Sequence, residues 1–274
     1  MCPHPDRPDL QVGTLPCHQG RHERRHTACT CLGGGPSNLI GYMKPQLENQ
    51  ILARLNDAEH ARLAPSLERI TLQRDALLAE PWTPLRFAYF PTGCVLSSIV
   101  VLKDGTGVEA ATVGNEGMVY VGIASQQLKS PYRIIPQISG DCLRVPVETL
   151  QNALRELPEL TGLIHRYTLA LHLQSSQNAA CNLRHDIKQR LSRWLLVSAD
   201  RSSSDELDLT QESLSIMLGV RRQSVNVTVG LLQREGLIAI RRGAIKIVDR
   251  PRLEAAACEC YRTTAAMYDH VMSA

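Results

Sequence analysis

No stretch of this 274-residue sequence approaches the ~18 consecutive apolar residues of a membrane-spanning helix. The N-terminus also lacks the apolar core of a secretory signal. A cytoplasmic protein with no membrane partner is therefore expected. The nine cysteines are an odd number without an even framework of spacings, so they read as reduced thiols and not as a disulfide scaffold. Also missing are a nucleophile–base–orienter set, a phosphate loop and a recurring metal-ligand motif. These gaps argue against an enzyme and leave no cofactor or metal to expect. The best enzymatic alternative would need Cys94 or Cys142 with a histidine brought alongside. A strong net charge is lacking too. At +3 the chain neither demands nor excludes a nucleic-acid partner, so the placement of charge has to decide.

What is present falls into segments. Residues 1–42 hold Cys2, Cys17, Cys29 and Cys31 with His4, His18, His22 and His26 among Pro, Gly and Arg. Apolar residues there are too sparse for a core, so a disordered tail is expected. The alternative is a metal- or redox-sensing tail, with His22, His26, Cys29 and Cys31 as zinc ligands. Helical spacing begins with Leu47, Ile51 and Leu55, and Asn56 is placed to cap the next helix. From about Arg69 to Glu148 short β-branched and aromatic runs ("RFAYFP", "CVLSSIVVL", "VEAATV", "YRIIPQIS", "DCLRVPV") alternate with turn residues. The pattern predicts an antiparallel sandwich or roll, with Lys103–Gly107 its clearest hairpin.

Residues 150–201 turn helical, with a break expected near Cys181-Asn182. Leu160, Ile164, Tyr167, Leu171, Gln174 and Asn178 follow a 4-3-4-3-4 spacing, the seam of a helix packed on a parallel partner. The same spacing would suit a helix lying on its own sheet. "RSSSDE" (201–206) reads as a linker.

The chemistry is concentrated after it. Thr210 caps "QESLSIML", Gly219 ends that helix, and a second helix runs from about Arg221 to Gly236. A tight glycine turn between two helices makes a helix-turn-helix. "LIAIRRGAIKIV" adds two short strands, a wing. Between Gly219 and Arg252 eight Lys/Arg face only Glu235 and Asp249, a local charge of +6. Two adjacent arginines at a helix N-terminus oppose the helix dipole, so the external anion they await is taken to be DNA. Arg221, Arg222, Gln223 and Asn226 are placed to read base edges. Thr210, Ser224, Arg241, Arg242 and Lys246 are placed for phosphates. The competing reading is a protein-binding adaptor that uses the same winged helix.

"LTQESLSIMLGVRRQSVNVTVGLLQREGLI" with "RRGAIKI" resembles the C-terminal domain of the Crp–Fnr family of bacterial transcription regulators. The resemblance implies an α+β chain: an N-terminal antiparallel β-roll of the double-stranded β-helix type, a long dimerisation helix and a C-terminal winged helix-turn-helix. Residues 1–42 would be the tail, 43–155 the cyclic-nucleotide-binding-like sensor, 156–181 the dimer helix and 182–274 the DNA-binding domain. It also implies a homodimer on a near-palindromic operator in double-stranded DNA, with RNA polymerase as a further candidate partner. Family base-reading positions fall on Arg222 and Gln223, and a later family arginine is replaced by Val227. In the sensor, "GNEGMVYVGIASQQLKSPYR" keeps Glu116 but not the family's phosphate-binding arginine, so cyclic nucleotide binding is not expected. Glu116, Tyr120, Lys129 and Arg133 are the candidate effector pocket. Cys258 and Cys260 are expected to be packed thiols, and His165, His172 and His185 ordinary helix residues.

Overall fold

The computed structural model describes residues 49–274 except Asp75, Arg242 and Ala274. The Cys/His tail, the zinc ligands considered there, and Leu47 lie outside the described residues. The first elements are set by polar caps. Asn49 accepts from the Ile51 and Leu52 amides to open α1 (Gln50–Ala53). Asn56 accepts from Glu59 to open α2 (Asp57–Leu63), the role its position suggests.

The strands β1 (Glu68–Leu72), β2 (Phe87–Pro91), β3 (Val95–Val101), β4 (Gly107–Val113), β5 (Arg133–Ile138) and β6 (Gly140–Pro146) follow. They make two antiparallel sheets, ordered β1-β6-β2 and β4-β3-β5. The expected hairpin joins β3 to β4. Asp104 accepts from the Thr106 amide and hydroxyl, and Gly105 takes φ +85°, which few other residues tolerate. The inner faces contribute Phe90, Leu96, Val113, Ile134 and Val145 to a core shared with Ile51 and Leu52.

Two helices close this roll, α3 (Val147–Glu156) and α4 (Pro158–Arg184). Pro158 sits in the first turn of α4, where no amide donor is needed. The Glu59 carboxylate accepts the Glu159 and Leu160 amides at 3.0 and 2.9 Å, placing a negative group at the positive end of the helix dipole. The helix then runs through Cys181-Asn182, because nothing in "QNAACNLR" terminates it. The break comes at His185-Asp186, where Asp186 and Gln189 form a capping box that opens α5 (Ile187–Ser202). Part of the expected linker is therefore helix, and its end is the short strand β7 (Glu206–Asp208).

The C-terminal part consists of α6 (Gln211–Leu218), α7 (Arg222–Arg234), β8 (Ile238–Arg241), β9 (Ala244–Ile247), α8 (Arg250–Ala256) and α9 (Cys260–Met272). Its sheet has the order β7-β9-β8. Trp194, Leu195, Leu214, Leu218, Val225, Val229, Leu232 and Ile245 build a second core, which also takes in Val95, Ile99 and Ile138 from the roll. Trp194 Nε1 donates to Glu109 at 3.1 Å across the same junction. The described residues from 49 onward accordingly form one compact unit, not separated lobes. The α+β architecture of roll, long helix and winged helix-turn-helix is the one expected.

Candidate nucleic-acid interface

Thr210 opens α6 through a capping box with Ser213. Its hydroxyl accepts the Ser213 amide at 3.0 Å and the residue is half-buried at the helix end. Leu214, Met217 and Leu218 point into the second core. Gly219 (φ +60°) turns the chain in the left-handed conformation that ends a helix. Buried Arg190 donates to the Leu218 carbonyl at the same turn.

The next helix, α7, begins without a capping side chain: Arg221 occupies the cap position and makes no such bond. Val225, Thr228, Val229 and Leu232 are buried. The opposite face exposes Arg221, Arg222, Gln223, Asn226 and Val227, then Gln233 and Arg234. The four expected base readers thus share one open face at the start of one helix. Val227, 70% exposed, puts a bare isopropyl group among them. Ser224 is half-buried in the first turn, with its carbonyl taken by Thr228.

The wing is a two-residue hairpin. Arg241 pairs with Ala244 in register, and Gly243 takes φ +72°. Arg241 is exposed, Lys246 is half-buried, and the side chain of Arg242 lies outside the described residues. A groove of about 420 Å³ lies between the wing and the two helices, with Arg222 on one bank and Arg241 on the other. The Arg222 guanidinium comes within 3.9 Å of Glu212, an exposed and therefore weak pairing.

Not all of the local positive charge serves this face. Arg250 is bound by Asp200, Asp205 and Glu254, which ties α8 to α5, and Arg252 pairs with Asp249. Sequence counting could not separate these structural cations from the open ones.

Residues 189–256, spanning α5 to α8, match the Crp-like helix-turn-helix domain. This part of the chain is thus similar to a Crp-like helix-turn-helix domain. Among solved structures, the chain resembles FixK2 from Bradyrhizobium japonicum (14% identity, 70% of this chain and 98% of that one, TM-score 0.57). It also resembles the c-di-GMP-responsive global regulator CLP of Xanthomonas campestris (15%, 70% and 99%, TM-score 0.56). A third similar structure is a Crp/Fnr-family regulator from Eubacterium rectale (17%, 76% and 98%, TM-score 0.54). At these identities the likeness is one of fold, and it extends beyond the Crp-like domain to the roll and long helix. No curated protein matches the sequence.

The seam assigned to α4 needs correction. Leu160, Ile164 and Tyr167 are buried in the chain's own roll core, and Leu171 packs half-buried against it. Gln174 is buried against Thr112 and the Arg201 guanidinium, and Asn178 accepts from Arg193 at 3.0 Å. Gly117 leaves the space for the Tyr167 ring, since a Cβ there would lie 1.9 Å from it. A second row with the same 4-3-4-3-4 spacing faces solvent: His165, Leu169, His172, Ser176, Ala179 and Leu183. Leu169 and Leu183 are 50% and 85% exposed.

The candidate effector residues fall into three environments. Tyr120 donates to the Lys129 carbonyl at 3.0 Å. Arg133 pairs with Glu80 at 3.1 Å. Glu116 is buried beside Arg201, on a cavity of about 180 Å³ that Tyr167, Gln174, Tyr261 and Tyr268 also line. Burial raises the Glu116 carboxyl above its ordinary value, and Arg201 draws it back. Cys94 and Cys142 are both fully buried in the roll, out of a substrate's reach.

Proposed function

We propose that the chain is a sequence-specific DNA-binding transcription regulator that acts as a homodimer in the cytoplasm. The observation that carries this reading is the open face of α7, where Arg221, Arg222, Gln223 and Asn226 project together beside the wing. With α7 in the major groove, Arg222 pairs with guanine and Gln223 or Asn226 with adenine. Arg241, Arg242, Lys246 and Ser224 meet phosphates. The adjacent arginines then face an anionic groove in place of water, which removes the conflict with the helix dipole.

The second copy docks on the exposed row from His165 to Leu183 of α4, whose heptad spacing suits a parallel partner helix. Two-fold pairing implies a near-palindromic operator with half-sites about one helical turn apart. RNA polymerase is the further partner this reading admits. Cyclic nucleotides are not expected as effectors, because Glu116 is held by Arg201 and the anion-binding arginine of the resembled motif is missing.

Selection of bound duplexes from a random library, followed by binding at several salt concentrations, tests the proposal. An enriched near-palindrome with a steep salt dependence is expected. Equal binding to every duplex would remove the base-reading roles. No binding to any duplex would leave the protein-adaptor reading.

A further inference from the structure

The end of α4 and the bend between α8 and α9 bring four chemically matched side chains to one point. Cys181 and His185, four residues apart, share a face of the last helical turn. Ala257 adopts an extended conformation after α8, and the chain turns so that Cys258 and Cys260 both face that turn. The ligand atoms of Cys181, His185, Cys258 and Cys260 all lie within 4.8 Å of one another. Cys181 Sγ is 3.5 Å from Cys258 Sγ, and Cys260 Sγ is 3.6 Å from His185 Nδ1. A tetrahedral ion with zinc-type bond lengths sets its ligands roughly 3.8 Å apart for two sulfurs and roughly 3.5 Å for sulfur and nitrogen.

We propose that Cys181, His185, Cys258 and Cys260 form a closed Cys3His site for a zinc-type divalent ion, which pins the C-terminal hairpin to the long helix.

The surroundings match that role. All three cysteines are at least 96% buried, as in a structural site with no open position. His185 turns Nδ1 inward, while its Nε2 lies 3.2 Å from the Glu259 carboxylate, the outer partner that fixes a ligating imidazole. Gln177 Nε2 donates to Cys260 Sγ at 3.0 Å, a bond suited to a thiolate. As the ion binds, the three thiols release three protons and the imidazole binds neutral, leaving a net charge of −1 on the centre. Two buried cations stand ready for it. Arg190 and Arg193 act electrostatically on the sulfurs, and the Nε of each has no hydrogen-bond partner. Arg190 also holds the Leu218 carbonyl, so the charge ring around the ion extends to the helix-turn-helix. The expectation of ordinary packed thiols at Cys258 and Cys260, with His185 an ordinary helix residue, is replaced by this reading.

The test uses the full chain, expressed with zinc and purified without chelators. Elemental analysis should give one zinc per chain. Cobalt(II) exchanged for it should show the thiolate charge-transfer and visible bands of a tetrahedral site. Because the N-terminal tail carries cysteines of its own, a variant with Cys2, Cys17, Cys29 and Cys31 all changed to Ser should keep the zinc. Cys258→Ser and Cys260→Ser should lose it. If those two fold poorly, Glu259→Gln remains informative, since removing an outer partner should weaken zinc about 10–100-fold in a chelator competition while the fold persists. Three results would each overturn the proposal: zinc that leaves with the tail cysteines, a Cys181–Cys258 disulfide in freshly isolated protein, or metal-free chains whose three buried thiols label readily. An iron–sulfur chromophore in place of zinc would overturn it too.

Discussion

Arg201 on α5 places its Nε 2.9 Å from the Glu116 carboxylate of the roll, with both side chains almost wholly buried. The pair also draws in its neighbours. Arg201 Nη1 donates to the Thr112 carbonyl, Glu116 accepts the Gly114 amide, and Tyr268 of α9 donates to the Glu116 carbonyl. The roll, α5 and α9 are thus joined at one buried charge pair.

Removing one partner strands the other. Arg201→Met should destabilise the chain by about 3–5 kcal/mol, the range for breaking a buried pair. Adding Glu116→Gln to it should recover part of the loss, because no unpaired charge remains. Urea unfolding of the two single variants and the double variant checks this. Simple additivity of the single losses would show that the groups do not act as a pair.

The same carboxyl predicts a pH effect. Its folded value lies above the ordinary 4.5, with burial the largest cause. A group raised on folding adds most stability below its unfolded value and loses that contribution as pH rises through the folded one. Wild type should therefore lose stability relative to Glu116→Gln as pH is raised upward from about 4.5. Parallel stability curves for the two proteins would contradict the assignment.

For self-association, Leu169→Glu or Leu183→Glu places like charges on the exposed row of α4 and should yield a monomer by light scattering without loss of fold. Leu171→Glu should instead lower the melting temperature, since Leu171 packs against the chain's own core. A Leu169→Glu, Leu183→Glu double variant that stays dimeric at micromolar concentration would place the interface elsewhere.

On DNA, Arg222→Ala should cost about 1–3 kcal/mol on the selected site and relax the preference at one position in each half-site. Arg241→Ala or Lys246→Ala should weaken all duplexes about equally and lower the salt slope by roughly one unit. If Arg222→Ala behaves like the wing variants, Arg222 is a phosphate clamp and base reading passes to Gln223 and Asn226.

The sequence by itself determined the elements whose causes are local. Thr210, Gly219 and the apolar spacing of Val225, Val229 and Leu232 specify the helix-turn-helix, because caps, glycine turns and a 3.6-residue period act within a few residues. The Lys103–Gly107 hairpin and the Asn56 cap follow for the same reason. What depends on distant chain was decided only by the fold. Two rows on α4 share one heptad period, and the more apolar row, Leu160 to Leu171, was claimed by the roll of its own chain. Arg250 carries the same charge as Arg222, yet Asp200 and Asp205 hold it away from the open face. Cys181 and Cys258 are 77 positions apart. No spacing rule joins them, because what brings them together is the return of α9 along α4, a packing of helix on helix that local sequence does not encode.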